Sequence, residues 1–282
     1  MSEKILIASD STCDLSPELI SQLGIKILPL GVALGESQFT DGVDITPDDI
    51  YAHYNKYGEL PKTSAVNIAE FASFFAKATE NGYSVVTFTI SSQMSSTYHN
   101  ACLAAEDHDN VFVVDTANLS TGGGLLVLAA HRMASEGKSA AEIAKACGAL
   151  AARVDASFIV DDLEFLYKGG RCSAVAMLGA NMLQLKPCIT VEDGKMGVGK
   201  KYRGKFADVL KKYIADRLGD GSGVELDEVF VTHAGCDMAI VNACVDQVKS
   251  IAPFKNVYVT RAGCTISSHC GKNTLGVLFI RK

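Results

Sequence analysis

The chain has 282 residues, enough to bury a substantial core, and its length favours two domains over one. A composition of 48% hydrophobic and 21% charged residues excludes a disordered chain, and the net charge of −6 argues against a nucleic-acid protein, which would carry a basic stripe.

The first apolar run, KILIAS at Lys4–Ser9, is a strand in length and too short for a signal-peptide core. Asp10, Ser11 and Asp14 follow at the strand's carboxyl end, where α/β proteins gather ligands. They serve equally as helix caps, which is the preferred reading. IKILPLGV reads as a second strand. Thr46 before Pro47, acids in the next turn and a stop at Gly58 mark a helix. Then come a helix at Asn67–Glu80, a strand at 84–90, a helix near Ser95–Glu106, a strand at 111–115 and a helix from Thr121 to Ser135. Strands alternating with helices predict a parallel sheet covered on both faces.

Ser139 and Glu142 form a capping box that opens a further helix, and a domain boundary is expected near its end, around residue 152. Beyond it the pattern changes. ASFIVDD is a strand, the segment YKGGRCSAVAMLGANMLQLKP at 167–187 reads as helical, and CITVEDGKMGVGKKY reads as a hairpin turning at Asp193-Gly194. A helix at 205–218, the strand EVFVTHA, a helix at 238–250, and the strands NVYVTR and LGVLFIR complete the chain. The expected fold is α/β: a Rossmann-like parallel-sheet domain at residues 1–152, then an α/β domain at 153–282 with a mixed or antiparallel sheet.

Nine cysteines are odd in number, scattered and without a CxxC, so buried free thiols are expected in place of disulfides. His233 with Cys236, and Cys264, His269 and Cys270 far along the chain, are the nearest approach to a metal cluster, and zinc is disfavoured by their spacing. DTANLSTGGG at 115–124 lacks the spacing of either nucleotide-binding glycine motif; its glycines read as close helix packing. No stretch approaches the roughly eighteen uncharged residues of a spanning helix, and the protein is expected to be cytoplasmic.

Two hydroxyl-rich turns stand out. KTSAVN places Thr63 and Ser64 just before a helix, and ISSQMSSTYHNA leaves a strand and enters a helix through Ser95 and Ser96. Such turns offer hydroxyls and unpaired backbone N–H groups to an anion such as a carboxylate. His269 lies in a polar, loop-like stretch, ISSHCG, suited to a cleft. The segment from Ser173 to Leu185 carries no charge, so it is buried or lines an apolar cavity. Arg171 stands at its threshold behind Lys168 and two glycines, and a guanidinium suits carboxylate or phosphate recognition. A greasy interior with a cation and hydroxyls at its rim fits a carboxylate-headed lipid. An ester hydrolase using Ser95 with His269 as base is the alternative, although no GxSxG elbow occurs.

In order along the chain, DSTCDL, KTSAVN, ISSQMSSTY, VVDTANLSTGGG, LEFLYKGGRCSA, LQLKPCITVEDGKM and SHCGKNTLGV resemble the motifs of the DegV family, bacterial fatty-acid-binding proteins. The resemblance runs over nearly the whole chain and is most specific from KGGR to KP. It implies two α/β domains holding one long-chain fatty acid, such as palmitate or oleate, between them, with no cofactor. It implies that Thr63 and Ser95 hydrogen-bond the carboxylate, with Ser64 and Ser96 beside them and His269 close by. Family members of the FakB type present the acid to a separate ATP-dependent fatty acid kinase subunit, which makes the acyl-phosphate. Arg171 and Arg203 match residues used around the head group and in kinase docking.

Overall fold

A computed structural model of the chain describes residues 3–176 and 185–282. The first half runs β1 (Ile5–Asp10), a 3-10 turn (Ser11–Cys13), α1 (Pro17–Leu23), β2 (Lys26–Leu28), β3 (Gly31–Leu34), β4 (Ser37–Thr40) and α2 (Pro47–Tyr57). It continues through β5 (Lys62–Ser64), α3 (Ile68–Glu80), β6 (Ser84–Thr89), α4 (Thr97–Ala105), β7 (Val111–Asp115), α5 (Thr121–Ser135) and α6 (Ala140–Ala151). The second half begins with β8 (Val154–Asp155), β9 (Ser157–Val160), α7 (Glu164–Gly169), α8 (Ser173–Ala176), β10 (Leu185–Glu192) and β11 (Lys195–Arg203). It closes with α9 (Phe206–Leu218), β12 (Val224–Ala234), α10 (Met238–Ile251), β13 (Asn256–Arg261), α11 (Cys264–Cys270) and β14 (Thr274–Arg281).

Three sheets result. A parallel sheet in the order β2-β1-β6-β7 forms from the β/α alternation, as the sequence predicts. A mixed sheet in the order β11-β10-β9-β14-β12-β13 follows, with β8 beside β14; β12 and β13 pair in parallel and its other pairs are antiparallel. Sheet membership changes between α6, which ends at Ala151, and β8, which begins at Val154.

The third sheet, β4-β3-β5, is small and antiparallel. It corrects the reading of IKILPLGV as one strand. Pro29 has no N–H to give a ladder, so the run breaks there: Lys26–Leu28 stays in the parallel sheet and Gly31–Leu34 joins the small one. That break gives the small sheet its middle strand, against which β5 and Thr63 are paired.

Local signals explain the well-anticipated elements. Thr46, Asn67 and Ser139 each cap a helix reciprocally with the acid three residues on, Asp49, Glu70 and Glu142. Asp193 and Gly194 turn the β10–β11 hairpin with φ of 49° and 77°, the two positive angles that a two-residue turn of matching twist demands.

Helix α5 is buried continuously from Thr121 to Ala130, because it packs against the parallel sheet on one side and the mixed sheet on the other. Its Leu125, Leu126 and Val127 share one core with Val86 and Phe88 and with Phe230, Leu278 and Ile280. The three glycines at its start serve that closeness. A Cβ on Gly124 would sit 2.8 Å from the Cys13 carbonyl oxygen, and one on Gly122 would sit 3.3 Å from the Ala156 methyl. The packing reading of TGGG holds.

The helical reading of 167–187 needs correction. Helix α7 ends at Gly169, Gly170 takes a left-handed φ of 69°, a separate helical stretch, α8, starts at Ser173, and Leu185–Pro187 already belongs to β10. Residues 177–184, the centre of that uncharged stretch, lie outside the described residues.

Candidate functional site

A cavity of about 310 Å³ lies where the small sheet, the β6–α4 turn and α11 meet. Thr63, Ser64, Ser95, Ser96, Arg171 and His269 all line it. The remaining expected residue does not: Arg203 ends β11 opposite Leu185, exposed to solvent.

Strand β5 carries the first two hydroxyls. Thr63 pairs with Val32 and Ser64 with Gly31, and the Ser64 Oγ lies where a Cβ on Gly31 would come within 2.3 Å of it. Glycine at position 31 therefore leaves the room that the Ser64 side chain occupies.

The β6–α4 turn is fixed by bonds from several directions. The Ile90 N–H donates to Asp10 Oδ2 at 2.7 Å, the Ser91 N–H to the Asn118 carbonyl at 2.9 Å, and the Ser91 hydroxyl to the Gly194 carbonyl at 2.7 Å. That last bond ties the tip of the β10–β11 hairpin to the turn, and a Cβ on Gly194 would come within 2.6 Å of the Ser91 Oγ. Within the turn, the Met94 and Ser95 N–H groups both donate to the Ser91 carbonyl, and the Thr97 N–H donates to Ser95 Oγ. Only the Ser96 N–H of the 94–97 turn has no acceptor among the described residues, so an expectation that this whole turn offers its amides to an anion is corrected. Ser95 Oγ also pairs with Thr97 Oγ1 at 2.9 Å.

His269 belongs to a helix, α11, not to a loop. The local sequence hides this helix because its N-cap, Gly263, has no side chain to cap with. Two aspartates from the first half cap it instead. The Gly263 N–H donates to Asp14 Oδ1 at 2.8 Å; the Cys264 and Thr265 N–H groups donate to Asp41 Oδ1 at 2.8 Å and Oδ2 at 3.0 Å. The Ser11 and Thr265 hydroxyls donate to Asp41 as well. Asp10 caps the 3-10 turn. The acidic motif after β1 thus holds architecture and does not line the cavity, as its capping reading implies. Burial pushes Asp10 up to about 6 and Asp14 up to about 8, against the hydrogen bonds each receives.

At its other end α11 presents His269, whose Nε2 lies 2.9 Å from Thr63 Oγ1 across 206 residues of chain. Burial first, then the charge of Arg171, lowers this imidazole to about 4, so the ring is neutral near pH 7. Its Nδ1 is buried without a hydrogen-bond partner among the described residues and faces bare Gly169, where a Cβ would come within 2.8 Å. A buried N–H without an acceptor is rarer than a buried acceptor without a donor, which assigns the proton to Nε2. The ring then donates to Thr63 and leaves the threonine proton free to point into the cavity. Arg171 is exposed at the rim and donates from Nη1 to the Gly169 carbonyl at 2.8 Å.

Apolar walls complete the cavity: Leu30, Ile90, Met94 and Leu119 from the first half, Met196 and Ile266 from the second. Both halves line it. The sequence reading missed Asp41 and Thr97. Asp41 acts on residues 223 and 224 positions away, a relation with no local signature. Thr97 was within view, two residues after Ser95 in the same hydroxyl run.

Among the described residues no group of three or more His, Cys, Asp or Glu side chains is placed to hold a metal. His233 Nδ1 accepts from the Cys236 N–H at 3.3 Å, and the Cys264 thiol turns to the Ile45 carbonyl at 3.3 Å. All nine cysteines are free, and burial pushes the thiols of Cys13, Cys236, Cys264 and Cys270 up to about 12. Among the described residues no hydrogen bond joins Ser95 to His269, and no carboxylate orients the ring through Nδ1. Also among the described residues, no helix is long and apolar enough to cross a membrane.

A parallel sheet and a mixed sheet, with a hydroxyl-rimmed, apolar-walled cavity lined from both halves, define a mixed α/β protein of the kind seen in fatty-acid-binding structures. The family follows: residues 4–282 match a family model described as an uncharacterised protein of the DegV family, and the chain belongs to that family. A DegV domain-containing protein of Clostridium acetobutylicum is 33% identical over 282 residues, covering 99% of each chain. A DegV family protein from Thermus thermophilus, described by its fatty acid binding, is 29% identical with a TM-score of 0.92, covering 99% of this chain and 100% of that one. A stearic acid-binding protein from Eubacterium ventriosum is 31% identical with a TM-score of 0.83, covering 98% of each chain.

Proposed function

We propose that this protein binds one long-chain fatty acid, such as palmitate or oleate, with its carboxylate at the hydroxyl rim and its tail along the apolar walls. The observation that carries this reading is the convergence of Thr63, Ser95, His269 and Arg171, from four separate elements, on one cavity with apolar walls. The fatty-acid-binding relatives support it.

Each residue has a role. Thr63, oriented by the His269 Nε2–H, donates its proton to one carboxylate oxygen. Ser95 and the Ser96 N–H serve the other, with Ser64 and Ser96 hydroxyls beside them. Such charge-assisted bonds fix the head. The tail supplies most of the affinity: at ~0.8 kcal/mol per methylene, about ten buried CH₂ groups contribute on the order of 8 kcal/mol before the cost of association. Residues 1–152 and 153–282 hold the ligand between them, and no cofactor takes part. They present the carboxylate to a separate ATP-dependent fatty acid kinase subunit, with Arg171 at the rim where a nucleotide phosphate approaches and Arg203 on the docking surface.

Delipidated protein is expected to take up palmitate or oleate stoichiometrically by native mass spectrometry; absence of uptake overturns the reading. Arg171→Ala is expected to reduce kinase-dependent acyl-phosphate formation by more than it reduces acid binding. The hydrolase alternative requires Ser95 and His269 to act as a pair, and the hydrogen bonds each makes elsewhere do not favour it.

A further inference from the structure

Thr97 opens α4 and is fully buried, with 0% of its surface exposed. Among the described residues its hydroxyl has one partner within hydrogen-bond distance, Ser95 Oγ at 2.9 Å. A hydroxyl carries one proton, and burying that proton without an acceptor costs free energy. The Thr97 proton therefore goes to Ser95. The Thr97 N–H goes there as well, at 3.2 Å. Two donors thus fill both acceptor positions of the Ser95 oxygen. Ser95 is half-buried on the cavity wall, and among the described residues no other group accepts its own proton. That proton is left to point into the cavity.

Thr63 is arranged in the same way from the opposite wall. The His269 Nε2–H fills one acceptor position of its oxygen and leaves its proton to the cavity. The Ser96 N–H, which has no acceptor among the described residues, makes a third donor. An ionised carboxylate is the matching head, because it only accepts, and hydrogen bonds to a charged acceptor are roughly twice as strong as neutral ones. A primary amide has the same shape but no charge.

We propose that Thr97 is a positioning residue for the head group: by donating to Ser95 from behind, it makes that serine a one-way donor and sets the rim for an ionised carboxylate over a neutral head of the same shape. The inference rests on the fatty-acid reading and adds how its head group is selected. Thr97 does not itself line the cavity, so it acts only through Ser95.

The test is isothermal titration of delipidated protein with palmitate and with palmitamide. Thr97→Val keeps the branched shape and removes the hydroxyl. It is expected to raise the palmitate Kd about three- to tenfold, part of what one hydrogen bond to a charged group is worth, and to change the palmitamide Kd by less than about twofold. Thr97→Ser keeps the donor and is expected to restore the wild-type ratio of the two constants. In a Ser95→Ala background, Thr97→Val is expected to weaken palmitate no further, since its route to the ligand is gone; Thr97→Ala serves if the valine variant folds poorly. Equal weakening of acid and amide, or an effect that persists in the Ser95→Ala background, makes Thr97 a packing residue and overturns the proposal. Unchanged palmitate affinity in Thr97→Val overturns it too while leaving the fatty-acid reading intact; failure of the wild type to bind palmitate overturns both.

Discussion

Replacing Thr63 by valine removes one hydroxyl and little else, since valine keeps the branched shape that suits a strand. In the free protein the loss strips His269 Nε2 of its partner at 2.9 Å, while Nδ1 of the same ring already has none among the described residues. Leaving that buried N–H unpaired costs about 1–3 kcal/mol of stability. In the complex the variant loses a hydrogen bond to a charged carboxylate, worth about 1.5–3 kcal/mol, or roughly a 10- to 150-fold rise in Kd. Isothermal titration of wild type and Thr63→Val with palmitate measures that rise. The same titration with methyl palmitate, which has the tail but no carboxylate, is the control, and its affinity is expected to change less than about threefold. If acid and ester weaken equally, the hydroxyl acts on the shape of the slot and not on the head, and the assignment of Thr63 is refuted.

His269, at about 4 in the folded protein against 6.5 for an ordinary histidine, binds fewer protons folded than unfolded, so its contribution to stability is lost as pH falls from about 6.5 towards 4. Denaturant unfolding across that window is expected to show a steeper decline for wild type than for His269→Gln. Asp14 has the opposite sign: raised to about 8 from 3.8, it stabilises most at low pH, and its contribution fades as pH rises through that interval. Asp14→Asn keeps an acceptor for the Gly263 N–H, and the Ser120 hydroxyl turns from donating to accepting from the new amide, so its melting temperature is expected to gain on wild type steadily from about pH 4 to 8; a constant offset refutes the assignment. Gly124→Ala places a methyl 2.8 Å from the Cys13 carbonyl and 2.9 Å from Leu15 Cδ2. Overpacking of this kind costs about 1–3 kcal/mol, read as a lower urea midpoint.

What the sequence revealed and what it hid divide along one physical line. Helices α2, α3 and α6 were legible because cap and capped group sit three residues apart. The β10–β11 hairpin was legible because Asp193-Gly194 carries its own turn geometry. Helix α11 was illegible because its cap is Asp41, whose carboxylate arrives from the other half of the chain. The break at Pro29 was visible as a residue but not as a change of sheet, since nothing local says which ladder Gly31 joins. The cavity followed the same rule. Its hydroxyls, imidazole and rim arginine were found by residue type and motif, whereas Leu30, Met94 and Met196 are ordinary apolar residues until the fold sets them side by side.

The bond between Thr63 and His269 spans 206 residues, and that distance has a consequence during synthesis. At about 5–20 residues per second, a ribosome needs roughly 10–40 s to travel from the threonine codon to the histidine codon. For most of that interval β5 and the serine turn have been made but the imidazole has not, and β14, which flanks α11 in sequence, is later still. A nascent chain therefore holds half a grip for tens of seconds, and a fatty acid meeting it then finds hydroxyls without the wall that closes over the tail.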